Sequence, residues 1–293
     1  MYALSRFKQA KVLLKITMTI ENITHTTTGI ELVRKLSAEG RRIFTADVAR
    51  RLAPSVGLSP GYFRQALHHL VRDRWIVRLK KGLYALSGSV PGTHPLHEFE
   101  VVMALVTPAA ISHWSAMSHH GLTEQVPRRV FVLTTARAVP RRRGKPEAPV
   151  PPGYRVGEAT YQFVQVKPER FFGVAQVWVN ESRVSITDPE RTLLDGLMAP
   201  QYCGDFAEVL HAFEVRAPKL NLERIIGYAL KLDAATAKRL GWILERQGIA
   251  PDRLTQLQEL PIKGYRLLDP SGKPHGRYEA RWMIRVNLSG AQR

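Results

Sequence analysis

The chain has 293 residues, 44% hydrophobic and 23% charged, which excludes a disordered polymer and allows one large or two modest domains. Its net charge of +18 favours polyanionic partners, nucleic acid above all. A lone cysteine, Cys203, excludes an internal disulfide and a thiolate metal cluster and fits a reducing, cytoplasmic setting.

Residues 1–28 read as a basic extension in which Leu4–Ile16 has the spacing of a short helix and Thr24–Thr28 leads out of it. Met18 offers an alternative start. The apolar run Val12–Ile20 is broken by Lys15 and has no small-residue cleavage site, so it does not read as a signal peptide. No other stretch approaches the ~20 apolar residues of a membrane span, and no membrane partner is expected.

Residues 29–92 carry the pattern of a winged helix-turn-helix. Ile30, Leu32, Val33 and Leu36 predict a helix over Gly29–Ala38, ended by Gly40. Thr45 caps a second helix, with Asp47 in its first turn and Pro54 at its end. Ser59 and Pro60 open a third, running to about Asp73, with Phe63, Ala66, Leu67 and Leu70 at core spacing. That register turns Tyr62, Arg64, Gln65, His68, His69 and Arg72 outward. In the hairpin that follows, Trp75, Val77 and Leu79 alternate with Ile76, Arg78 and Lys80, Lys81-Gly82 forms the tip, and Leu83–Leu86 returns. Residues 1–90 hold +11 of the charge, the rest +7. Arginine suits guanine and glutamine suits adenine in a major groove, so the outward face of the third helix is the predicted reading surface. Arg78, Lys80 and Lys81 are expected on phosphates, which position without specifying. Tyr84 reads as packing at the base of the wing.

Residues 93–293 read as a larger α+β domain. Helices are expected at His97–Val106, Ser112–His120, from Pro189, at Phe206–Phe213, Asn221–Leu232 and Ala234–Gln247. Strands are expected at Val130–Thr134, Tyr161–Val166, a hairpin over Val174–Thr187, and Arg281–Asn287. The segment Arg137–Pro152 reads as a loop in which Arg141, Arg142, Arg143 and Lys145 offer secondary phosphate contacts. Adjacent helical residues point about 100° apart, so neither His68-His69 nor His119-His120 chelates by itself. No metal and no cofactor are expected. Asp188 reads as the cap of a helix opened by Pro189, and Asp195 as the i,i+4 partner of Arg191, not as nuclease carboxylates. No catalytic residue and no enzyme activity are expected.

Several of these landmarks fall in one order: Lys81-Gly82-Leu83-Tyr84, then Ile111–Leu122, a strand ending in Thr134-Thr135, Asp188–Asp195, and Arg239–Glu245. Over about residues 29 to 287 this order resembles the AbiEi family of antitoxins from bacterial abortive-infection systems. The resemblance implies a winged helix that binds inverted repeats in its own promoter and represses the operon. It also implies a C-terminal domain that opposes a nucleotidyltransferase-like toxin, without a required stable complex. Two rival readings are a winged-helix factor sensing a small ligand and a DNA-processing enzyme.

Overall fold

A computed structural model describes residues 27–88, 90, 95–136 and 153–288. Arg141, Arg142, Arg143 and Lys145, and nearly all of the N-terminal extension, lie outside the described residues. The fold is α+β. It divides into two compact units on either side of the His97–Glu98 bond, just past the boundary expected at residue 92.

The first unit opens with α1, residues 27–38, which takes in Thr27 and Thr28 as well as the expected stretch. Gly40, at φ +67°, lets the Arg41 N–H turn back onto the Leu36 carbonyl and close the helix end. Strand β1 (Ile43–Thr45) follows, then α2 (Ala46–Leu52), whose first turn is capped by the Thr45 hydroxyl accepting from Val48 N. The α-helix ends at Leu52, just ahead of the expected stop at Pro54. Pro54 sits inside a 3-10 turn, Ala53–Val56, where its missing N–H costs nothing. Helix α3 spans Phe63–Arg72, and the hairpin strands β2 (Ile76–Lys80) and β3 (Leu83–Leu86) follow. Strand β1 pairs with β3, giving the order β1-β3-β2.

Leu32, Val33 and Leu36 from α1, Phe44 from β1, and Phe63, Ala66, Leu67 and Leu70 from α3 fill one core. A fully buried Leu or Phe contributes about 1.5–3 kcal/mol, so this short unit can hold itself together. The hairpin departs from simple alternation. A bulge between Arg78 and Lys80 shifts the register, so Ile76 and Leu79 both point inward, three positions apart. Up to Arg78 the ladder is regular, so the expected alternation fails only beyond it, between Arg78 and Lys80.

The second unit is built on a six-stranded mixed sheet. Its strands are β4 (Ala109–Ile111), β5 (Val130–Thr134), β6 (Tyr154–Val156), β7 (Ala159–Gln165), β8 (Val174–Val179) and β9 (Ser182–Thr187), in the order β6-β7-β5-β4-β9-β8. The β5–β7 and β4–β9 pairs are parallel, and the others antiparallel. Helices α4 (Glu98–Leu105) and α5 (His113–His119) accompany this sheet in the chain. A helical layer follows: α6 (Pro189–Met198), α7 (Phe206–Arg216), α8 (Leu222–Leu232), α9 (Ala234–Arg246) and the short α10 (Thr255–Glu259). A small second sheet closes the described chain, with β10 (Arg266–Leu267), β11 (Arg277–Glu279) and β12 (Ile284–Val286) in the order β10-β12-β11. Trp282, fully buried, joins that sheet to the helical core. No helix of the described residues is long and apolar enough to cross a membrane.

Candidate nucleic-acid interface

The core face of α3 decides what its other face can do. With Phe63, Ala66, Leu67 and Leu70 buried, Arg64, Gln65, His68 and Arg72 are exposed. Tyr62 and His69 behave differently from the sequence expectation. The helix begins at Phe63, not Pro60, and the Ser59 carbonyl, not its side chain, receives the Tyr62 and Phe63 N–H groups. Tyr62 thus stands at the cap, packs against the core and shares a 3.1 Å hydrogen bond between its hydroxyl and His69 Nδ1. Both side chains are half-buried, so the open face narrows to Arg64, Gln65, His68 and Arg72.

Arg72 is held by its neighbour. Its Nε and Nη2 donate to the two carboxylate oxygens of Asp73 at 2.7 and 3.1 Å. The bidentate geometry raises the guanidinium pKa and lowers that of the carboxyl, by the hydrogen bonds first. The charge at that end of α3 is thereby partly compensated.

On the hairpin, Arg78 and Lys81 are exposed and Lys80 is half-buried. Gly82, at φ +76°, makes the tip turn that a side-chain-bearing residue rarely adopts. Tyr84 stacks on Phe44 at 5.9 Å between centroids, so it packs at the base of the hairpin.

One cation lies outside the sequence-predicted set. Arg74 sits between α3 and β2 at φ +60°, where the Trp75 N–H reaches back to the Leu70 carbonyl. That is the position glycine normally takes at a helix end. The signal in the sequence was the absence of glycine between helix and strand, with an arginine in its place.

The described residues of this unit hold four acidic side chains, and each is ion-paired with an arginine. The pairs are Glu31–Arg34, Glu39–Arg41, Asp47–Arg50 and Asp73–Arg72. Arg64, Arg74, Arg78 and Lys81 form no ion pair among the described residues. Their field is open to a polyanion.

Three acidic residues of the second unit, Asp188, Glu190 and Asp195, are tied into caps and ion pairs. Asp188 caps α6, accepting from Arg191 N at 2.8 Å through one oxygen and from the Tyr228 hydroxyl at 2.9 Å through the other. Arg191 and Asp195, both buried, pair at 2.9 Å across one turn, and Arg191 Nη1 also donates to the carbonyls of Arg170 and Phe172. Glu190, fully buried, accepts from Arg216 and from Asn221 N. Burial alone would raise its pKa; the Arg216 and Asn221 hydrogen bonds bring it below the usual carboxylate value.

His120 donates from Nε2 to the Thr187 carbonyl at 2.7 Å, and the buried His113 lies 2.8 Å from the Ser112 hydroxyl. Burial lowers the pKa of both imidazoles. Among the described residues, no three His, Cys, Asp or Glu side chains gather into a metal-holding group. Met117 and Leu122 are core, and Trp114 packs against the same cluster.

No family model and no curated protein matches this sequence. Among solved structures the chain is similar to the crystal structure of the RV2827C protein from Mycobacterium tuberculosis. The TM-score is 0.62 at 14% identity, over 88% of this chain and 90% of that one. At that identity the likeness shows a shared α+β fold and nothing finer.

Proposed function

We propose that the first unit is a winged helix-turn-helix that binds duplex DNA, with α3 in the major groove and the β2–β3 hairpin as the wing. One observation carries the reading: in a small unit whose acids are all paired among the described residues, the exposed face of a helix and the adjoining hairpin leave arginine and lysine side chains open. On this reading Arg64, Gln65 and His68, all exposed, meet base edges, while Arg78, Lys80 and Lys81 meet phosphates. The ordered motifs shared with AbiEi antitoxins extend the proposal: the chain represses its own promoter, and residues 98–293 oppose a nucleotidyltransferase-like toxin encoded beside it. No catalytic role is assigned to Asp188, Glu190 or Asp195, whose carboxylates are engaged in capping and ion pairing.

The test is fluorescence anisotropy on the upstream inverted repeat and on a scrambled duplex across a salt series. Neutralising roughly six phosphates gives a log–log salt slope of about −5, with tighter binding to the repeat. Equal affinity for the scrambled duplex, or a flat salt response, sinks the proposal.

A further inference from the structure

We propose that the small sheet β10-β12-β11 is a platform for single-stranded nucleic acid, separate from the duplex-binding surface of the first unit. Tyr265 and Tyr278 are two of the few large apolar side chains that the described residues leave exposed, at 40% and 60%. They are not scattered. Their rings meet edge to face with centroids 4.8 Å apart. The register sets Tyr278 opposite Arg285, with Leu267 on the far side of Arg285. These side chains share one face of the sheet, because directly paired residues point the same way. Ile284, one position along β12, is buried in the core. The tyrosine face is therefore the open one. The Arg285 guanidinium lies 5.1 Å from the centre of the Tyr278 ring and donates from Nε to the Gly276 carbonyl, which holds ring and cation together.

The surroundings are basic. Residues 261–288 contain six lysines and arginines and two acids. One acid, Asp269, accepts the Ser271 N–H locally; the other, Glu279, is half-buried. Lys263, Arg266, Lys273 and Arg277 are exposed and form no ion pair among the described residues. Cations alone would suit any polyanion. The exposed ring pair narrows the choice, because a duplex keeps its base faces stacked while a single strand offers them to an aromatic surface. A three-stranded patch of this size accommodates a few nucleotides.

The test uses the full chain with a fluorescein-labelled single-stranded RNA of about 12 nucleotides, within the usual range of site sizes. The DNA strand of the same sequence and the promoter duplex complete the panel, all at about 0.2 M salt, where loose electrostatic binding is weakened. Tyr265→Ala and Tyr278→Ala are each expected to weaken single-strand binding roughly tenfold, with duplex affinity unchanged. Tyr278→Phe keeps the ring and retains binding. Equal affinity for the two strand types assigns the site to base faces; preference for RNA adds a contact to the 2′-hydroxyl, and either supports the platform. Across a salt series, the double variant Lys263→Gln/Lys273→Gln leaves the rings in place and makes the single-strand salt slope shallower by about one unit or more, with the duplex slope unaffected. Alanine variants that bind the strand like the parent, or charge variants with an unchanged slope, overturn the proposal. A loss of duplex binding with single-strand binding intact would count against the first unit's role and not against this one.

Discussion

Arg64 and Lys80 carry the same charge yet are expected to act differently. Arg64→Ala should cost about 1–3 kcal/mol on the operator and relax discrimination at one base pair. Lys80→Ala should weaken all duplexes alike and make the salt slope shallower by about one unit. A panel of operator variants checks this, and identical profiles for the two mutants would exclude the proposed placement of helix and wing. Arg74 makes a stability prediction. Its left-handed conformation opposes the preference of a side-chain-bearing residue, so Arg74→Gly should stabilise the fold by about 0.5–1 kcal/mol in urea denaturation. Lower duplex affinity of the same variant would mark Arg74 as a contact. The buried imidazoles set a pH dependence. An unfolded histidine titrates near 6.5, whereas burial holds His113 and His120 lower in the fold. Just below 6.5 the unfolded chain therefore binds protons that the folded chain refuses, and stability is lost on acidification through that window. Glu190 adds a second loss further down: its stabilisation, present above the unfolded value of 4.5, disappears as pH falls through its lower folded value. Chemical denaturation from about pH 8 to about pH 2 should show both declines. The outward set on α3 was legible from spacing alone, but Tyr62 and His69 were not separable from it. Their withdrawal depends on a hydrogen bond across two turns and on a helix start three residues later than Pro60 suggested.

Among the elements, α6 is the most heavily tied, because its cap, its ion pair and its buried glutamate are all engaged. Asp188→Ala removes the cap and the partner of the Tyr228 hydroxyl, and should cost about 1–2 kcal/mol. Asp195→Ala strands the buried Arg191 charge and should cost about 3 kcal/mol or more. Thermal unfolding that ranks Asp188→Ala above Asp195→Ala would refute this ordering. Gly241 in α9 faces the Trp282 ring so closely that an added Cβ would collide with it. Gly241→Ala should therefore displace the tryptophan, whose Nε1 donates to Glu245 at 2.6 Å, and should be among the most damaging single changes in the second unit. Near-native tryptophan fluorescence and melting in that variant would contradict this packing account. The same elements show what a sequence reveals. Asp188 was readable as a cap because the cap is local chemistry, and it accepts the expected backbone N–H; Asn221 and Asp233 cap α8 and α9 in the same way. Strands β1, β4 and β6 were not read. Each is three residues long, too short for an alternation to register; β1 and β4 exist only because a distant strand supplies their hydrogen bonds, and β6 because β7 folds back on it across the Gly157-Glu158 turn. Strands β10 and β11 were missed as too short for alternation, and helix α10 because five residues show no helical period; the exposed tyrosine pair went unread with them.

For the whole molecule, each unit has a core of its own, and the sequence carried this division in its charge as much as in the glycines and prolines of the stretch Ser87–Pro95. A fragment spanning residues 98–293 should fold alone, with cooperative melting and native-like far-UV circular dichroism. On the proposed reading it should rescue cells from the toxin yet fail to repress the promoter. Rescue by the first unit, with a folded but inactive second unit, would reverse that assignment. Cys203 gives a further consequence. It is fully buried beside Phe206, and burial pushes its thiol pKa well up, so the folded chain presents no reactive sulfur. A disulfide reagent in excess can therefore modify the protein only when this part of the second unit opens. Under fast reclosing, the modification rate divided by that of an unfolded thiol measures the opening equilibrium directly. The native sequence thus contains a single chemical clock for local breathing around α6 and α7, and needs no engineered label to read it.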